Sequence, residues 1–299
     1  MAEKVLVRRL SLEGIPMGIS LSRSPRTRWS YQFLIGVLLL VRPAAAQTTQ
    51  PGIEDNSFLI EEAYNQERGV VQHISTFSRM WNTKDWAYNF TQEWPLHRFP
   101  RHQLSYTLVA AHAGGSTTGW GDTILNYRYQ LVGNGESHTA FAPRLSLLLP
   151  TGDVSQNRGV GGVGVQIGLP VSVVLHSKLV THWNAGATFV AHAQDAVHDR
   201  ASTAGYNLGQ SFVWLAHTRL NVLMETIYAS SQSVVGMARA GWSRSVFFSP
   251  GIRWSYNFKS GMQIVPGIAV PVGIGPSAGD NEVFLYFSVE RPLARRRPK

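Results

Sequence analysis

Between Asp85 and Trp94 apolar and polar side chains alternate along the chain. Trp86, Tyr88, Phe90 and Trp94 take the even positions, broken only by Gln92, and Ala87, Asn89, Thr91 and Glu93 take the odd ones. A period of two marks a β-strand with two unlike faces. The pattern returns. Leu104, Tyr106 and Leu108 oppose Gln103, Ser105 and Thr107; Leu125, Tyr127, Tyr129 and Leu131 oppose Asn126, Arg128 and Gln130. Val163, Val165, Ile167, Leu169, Val171 and Val173 oppose Gly164, Gln166, Gly168 and Ser172, and Pro250, Ile252, Trp254 and Tyr256 oppose Ser249, Gly251, Arg253 and Ser255. Weaker copies lie at 70–79, 140–149, 179–191, 206–215, 220–228, 263–272 and 283–290. The sequence therefore predicts about twelve strands, most near the ~9–11 residues that a tilted transmembrane strand needs.

One strand does not say which face meets water. The connections and the strand number do. Stretches such as "HAGGSTTGW", "PTGDVSQNRG", "HAQDAVHDRASTA" and "SSQSVVGMARAGWS" follow odd strands, whereas "HSK", "AHTR" and "KSG" follow even ones. Long and short connections at opposite ends are a habit of outer-membrane barrels. Twelve strands also enclose more room than a side-chain core fills, since small soluble barrels close with about eight. The prediction is an all-β fold, a closed antiparallel transmembrane β-barrel over 70–293 with its apolar face turned to lipid. Trp86, Tyr88, Phe90, Trp94, Tyr127, Tyr129, Trp254 and Tyr256 then face the bilayer, the outermost of them in interfacial girdles. Because lipid offers no hydrogen bonds, the sheet must close on itself. Pro143, Pro170, Pro250, Pro266 and Pro271 each remove a ladder donor, so they are expected at strand ends or bulges.

Composition agrees with this reading. Charged residues make up 15% of the chain and cysteine is absent, against roughly 25% charge in soluble domains. The one long apolar run, Phe33 to Val41, is too short for a membrane-spanning helix but suits the core of an export signal. Arg23, Arg26 and Arg28 precede it and a small-x-small site at Ala44 and Ala46 follows. Residues 1–46 read as a cleaved signal peptide, with Met17 a candidate start because Met1 to Pro16 adds nothing such a signal needs. Seven Lys/Arg and two Asp/Glu precede Gln47, which leaves 20 bases against 16 acids in the remainder. Four of those bases sit in the tail at 294–299. The formal net charge of +9 is therefore no argument for nucleic-acid binding.

An ionic side chain facing lipid at mid-membrane costs roughly 2–4 kcal/mol for Arg or Lys. Strand parity places Glu93, Asp122, Arg128, Arg144, Glu225, Arg253 and Glu290 inward, where they either pair and stiffen the barrel or line a polar path and set its selectivity. Ahead of the first strand, the segment 47–69 carries Asp55, Asn56 and Ser57, residue types that cap helices. A short helix bringing Phe58, Leu59, Ala63 and Tyr64 together is expected there. Such a segment, with Glu61, Glu62 and Tyr64 as its candidate contacts, either folds into the mouth as a plug or stays a loose leader.

Three motifs have blander readings. "GVGGVG" at 159–164 has dinucleotide-type glycine spacing but no parallel strand before it or helix after it, so it reads as a loop entering the sixth strand. "GPSAG" at 275–279 matches a nucleophile elbow around Ser277, but it lies in a connection between strands. His192, His198 and Asp199 share one connection without metal-ligand spacing. Neither a metal nor a cofactor is expected.

The ordered words "IEDNSFLIEEAYNQERGVVQHI", "TQEWPL", "RHQLSYTL", "GDTILNYRYQL", "FAPRLSLLLPTGD" and "FLYFSVE" resemble the meta-pathway phenol degradation family of proteobacterial outer-membrane proteins. The resemblance spans nearly all of the chain after Gln47. It implies a Gram-negative outer-membrane barrel, delivered by the barrel-assembly machinery into the lipid bilayer, that passes a small-molecule solute of hydrophobic or aromatic kind. One departure stands out. Such barrels commonly end at or near an aromatic that aids insertion, whereas this chain continues past Phe287 into "ARRRPK". The function expected is a non-enzymatic transporter or channel, the alternatives being a structural barrel that conducts nothing and an acyl hydrolase acting through Ser277.

Overall fold

The computed structural model describes residues 56–96, 98–113 and 115–292, together with the backbone of two short strands, Leu6–Leu10 and Pro16–Ser20, which pair with each other in antiparallel fashion. The expected export-signal core and cleavage site, Asp55 and the basic tail lie outside the described residues.

Twelve staves form the barrel. They are β1 (Val70–Met80), β2 (Trp86–Leu96), β3 (Phe99–His112), β4 (Gly119–Trp120 and Thr123–Tyr129), β5 (Thr139–Phe141 and Arg144–Leu149) and β6 (Gly164–His176). Then come β7 (Leu179–Gln194), β8 (Arg200–His217), β9 (Leu220–Gly236), β10 (Arg239–Trp254 and Tyr256–Asn257), β11 (Gln263–Ala269 and Val272–Gly273) and β12 (Glu282–Pro292). Each pairs antiparallel with its neighbours in the chain. The ring closes where β12 runs against β1, from Glu282 opposite Met80 to Pro292 opposite Val70. All twelve expected strands are present, and closure leaves no open edge, as a sheet in lipid requires.

The alternation sorts the two faces as expected. Along β2 the odd residues Ala87, Asn89, Thr91 and Glu93 are buried inside and the even ones lie on the outer surface. Leu125, Leu145, Ile167, Leu208 and Leu285 are exposed on the outside, while Asn126, Ser146, Gln166, Ser211 and Ser288 are buried within. The outer aromatics cluster near the strand ends. Trp94 packs against Tyr106, and His102 against Tyr127 and Tyr129, at one end; Phe77 packs against Trp86, and Tyr206 against Trp242, towards the other.

The prolines follow a rule the sequence does not reveal. Pro143 and Pro271 fall in the breaks of β5 and β11, as expected, but Pro170, Pro250 and Pro266 lie inside continuous strands. Each of these three faces a gap in the adjacent strand. Pro170 sits opposite the β5 break between its paired neighbours Gly168 and Val171. Pro250 lies between the Phe248 and Gly251 pairings, and Pro266 between the Gly267 and Ile264 pairings, both on the β10–β11 seam. The missing donors are thus gathered where the partner strand has already turned away.

The connections differ from expectation. β7 to β10 are 16, 18, 17 and 16 residues long, so most of "HAQDAVHDRASTA" and "SSQSVVGMARAGWS" is strand. Only Met237 and Ala238 join β9 to β10, with Ala238 in the left-handed region at φ 55°. Polar residues on both faces look like loop in a sequence, but above the bilayer a barrel strand has water on both sides. The longest connection, 150–163, joins β5 to β6 and marks what we term the loop end; the opposite end is the turn end.

Candidate functional site in the barrel lumen

Residues 56–67 lie inside the barrel, near the turn end, and form no helix. The expected capping pattern fails because the wall takes the amides that a helix would use. Glu225 Oε1 on β9 accepts from three consecutive amides, Phe58 N at 3.1 Å, Leu59 N at 2.9 Å and Ile60 N at 3.1 Å. Successive N–H groups converging on one anion form a concave nest. Asn184 of β7 makes a matched pair, its Oδ1 accepting from Glu61 N and its Nδ2 donating to Glu61 O, both at 2.8 Å. Ser172 of β6 accepts from Ala63 N at 2.8 Å and shares a hydrogen bond with His182 Nδ1 at 2.7 Å. Gln130 and Gln103 accept from Asn65 N and Gln66 N at 2.8 and 2.6 Å. The segment thus winds along the inner wall from β10, where Arg253 donates to Asn56 O, round to β3.

Apolar side chains seat it. Phe58 packs on Phe284 and Tyr286 with ring centroids 5.7 and 5.3 Å away, in a cluster with Val213, Leu223, Val265 and Ala269. Gly251 on β10 and Gly267 on β11 face the same ring, and a Cβ on either would come within 2.6 Å of it. Ile60 is likewise seated over Gly209. The lumen lining expected to be small and polar is therefore locally apolar, where this segment docks.

The predicted charges fall into two groups and two separate positions. Arg128 and Arg144, from β4 and β5, converge on Glu61: Arg128 Nη2 meets Glu61 Oε1, and Arg144 Nη1 lies 3.1 Å from Oε2. Arg128 also donates to Tyr64 O at 2.8 Å and faces Glu62 at 3.9 Å. Glu93 joins this site through Gln103, whose Nε2 donates to Glu93 Oε2 at 2.9 Å. Glu225 and Arg253 form the second group, holding the backbone of residues 56–60 as described, with the Arg253 guanidinium also lying over the Tyr286 ring. Glu290 stands nearer the turn end and accepts from Gln72 Nε2 at 3.2 Å. Asp122 is elsewhere. It sits in the β4 break and accepts from Gly152 N at 2.9 Å and Val160 N at 2.7 Å, fixing the 150–163 connection.

That connection narrows the loop end. Val160 packs with Val190, Ala193 and Val234, reaching across from β6 to β9. Within the connection, buried Arg158 donates to Asp153 Oδ2 at 3.3 Å and ties it to the β3–β4 connection by donating to Thr117 Oγ1 at 3.0 Å. A hydrogen bond from Ser155 holds the Asp153 carboxyl below its usual range. Between residues 56–62 and the wall of β12 and β1 to β5 there remains a cavity of ≈ 70 Å³, lined by Phe58, Leu59, Ile74, Glu93, Arg128 and Arg144 among others. Pockets that hold drug-sized ligands run to roughly 300–1,000 Å³.

The other motifs have structural places. Ser277 is buried in a 3₁₀ turn and its Oγ accepts from Val246 N at 3.1 Å. Gly159 to Gly164 packs the 150–163 connection against Asp122 and β7 before β6 begins. His192 lies in a β7 bulge and His198 in a tight turn, both with positive φ. Sequence reasoning missed Asn184, Gln103, Gln130 and Ser172, which look like ordinary inward polar residues, and the seating glycines.

Residues 61–272 match the protein family described as "Putative MetA-pathway of phenol degradation". The chain belongs to this family. Among solved structures it is similar to the COG4313 outer membrane channel from Pseudomonas putida F1, 12% identical, with 77% of this chain aligned on 97% of that one at a TM-score of 0.55. The NanC porin aligns 73% of this chain on 98% of its own at 8% identity and a TM-score of 0.49. No curated protein matches the chain in sequence. The COG4313 alignment agrees with the barrel fold described above.

Proposed function

We propose that the protein is a non-enzymatic outer-membrane channel for small molecules in which residues 56–67 act as a plug. The reading is supported by the outer apolar band with aromatics towards both ends, by the polar lumen, and by the likeness to the COG4313 protein, itself an outer membrane channel. In this reading the loop end faces the outside, the turn end the periplasm, and residues before Gln47 direct export. The family description points towards aromatic compounds as solutes.

One observation carries the proposal: the amides of the inner segment are held by wall side chains, above all by Glu225, rather than by one another. A segment that closes a pore reversibly needs such contacts, because each can be exchanged for water when the segment leaves. A merely structural barrel has no need of a docked segment whose backbone depends on the wall. An acyl hydrolase is disfavoured by Ser277, whose hydroxyl is buried and already engaged.

The test is conductance in planar bilayers of the chain refolded from Gln47, beside a variant lacking residues 47–67. Rare or small openings in the full chain and steady current in the truncated one are expected. Equal silence in both, with heat-modifiable mobility proving folded barrels, points to a non-conducting structural barrel.

A further inference from the structure

We propose that Arg128 and Arg144 form a receptor for the carboxylate of a small organic acid, and that Glu61 occupies this receptor until such a solute displaces it. The inference rests on the plug reading and names the class of solute that opens it.

The geometry is that of a bound ligand. The two oxygens of Glu61 are divided between two guanidinium groups on adjacent strands, Oε1 to Arg128 and Oε2 to Arg144. Planar forks of this kind match carboxylates better than they match neutral oxygen. Gln166 of the wall holds Arg144 in place by accepting from its Nη2 at 3.2 Å, so this half of the site does not depend on the plug. The Nε atoms of both arginines are buried without a hydrogen-bond partner, donors that Glu61 does not use.

Charge makes the exchange selective. At this level the plug contributes Glu61 and Glu62, and the wall contributes Arg128, Arg144 and Glu93. Withdrawing the plug removes two carboxylates and leaves two guanidinium groups facing one acid. Even with water admitted, this excess of positive charge within a narrow lumen attracts an anion. A solute carboxylate restores the pairing, whereas a neutral solute of the same size does not. Of the cavity lining, Ile74 and Tyr286 belong to the barrel wall and stay beside the arginines when the plug leaves, with Thr91 and Thr107 nearby. An apolar body attached to the carboxylate would lie against Ile74 and Tyr286 in the space that Phe58 and Leu59 vacate.

Sodium benzoate and its neutral analogue benzyl alcohol, added to the turn-end side of the full chain from Gln47 in planar bilayers, separate the possibilities. Benzoate is expected to raise open probability about tenfold, a coupling of ordinary size, and benzyl alcohol to leave it unchanged. Glu61→Gln opens the channel without benzoate, and Arg144→Gln abolishes the response. Direct binding of fluorobenzoate, followed by fluorine NMR, is expected to be tighter in Glu61→Ala than in the unaltered chain. If Glu61→Gln and the truncated chain conduct but benzoate acts no differently from benzyl alcohol, and fluorobenzoate binds no variant, the carboxylate receptor is overturned and the plug stands. If neither variant conducts, the plug reading falls and the receptor falls with it.

Discussion

The ring of Phe58 rests directly over Gly267, so closely that a Cβ there would lie 2.6 Å from two of its carbons. The two residues are far apart in sequence, and the missing methyl is what lets the plug seat against β11. Gly267→Ala is therefore expected to lift the ring and raise open probability, at an overpacking cost of about 1–3 kcal/mol. Combining it with Phe58→Ala removes the clash without restoring the aromatic contact to Phe284 and Tyr286, so the double variant stays leaky. Bilayer recordings read both. A Gly267→Ala channel as quiet as the parent would show that the ring is not part of the closure.

Glu225 alone holds three consecutive amides of residues 58–60. Hydrogen bonds to a charged acceptor contribute roughly 1.5–3 kcal/mol each, about twice the neutral value. Glu225→Gln keeps an oxygen acceptor but loses the charge that three amides share. The closed state should weaken by at least ~1.4 kcal/mol, or about tenfold in the open-to-closed ratio. Accessibility of a cysteine placed at Leu59 to a water-soluble thiol reagent gives an independent reading, expected to rise in Glu225→Gln and further in Glu225→Ala.

Much of this was written in the sequence, and the reason is physical. Lipid outside and water inside impose opposite chemistry on alternate residues, so the strands from β1 to β12 and the inward parity of Glu93, Arg128 and Glu225 follow from spacing alone. The course of residues 56–67 does not. Asn56 and Ser57 look like helix caps because capping is a local preference, and Glu225, 165 residues or more from the amides it binds, carries no local mark. The seating glycines are silent for the same reason. Strand ends on β7 to β10 were hidden because the alternation that reveals a strand exists only where one face meets lipid.

Asp122 offers a contrast at the other mouth. Its carboxylate fixes Gly152 and Val160 in the connection that narrows the loop end, and it lies far from the plug contacts. Asp122→Asn weakens both hydrogen bonds without touching Arg128 or Arg144. In a chain lacking residues 47–67, this change is expected to widen the channel and increase single-channel conductance while leaving anion-to-cation selectivity almost unchanged. A selectivity shift as large as that of Arg144→Gln would place Asp122 in the ion path instead of in the scaffold.

Outward and inward positions on one strand predict opposite failures. Leu208 on β8 is exposed on the outer surface, and Thr203 on the same strand is buried within. Leu208→Arg puts a guanidinium against lipid, with an expected loss of about 2–4 kcal/mol if it lies near the bilayer midplane. Thr203→Arg places the same group on the lumen side, where Thr188, Ser231 and Gln232 lie beside Leu148, Val160 and Val190, and is expected to cost less stability than Leu208→Arg and to alter ion selectivity instead. Denaturant unfolding in lipid vesicles distinguishes the two. The contrast matters because it tests the face assignment itself: if Thr203→Arg destabilised the barrel and Leu208→Arg did not, the apolar face could not be the one that meets lipid.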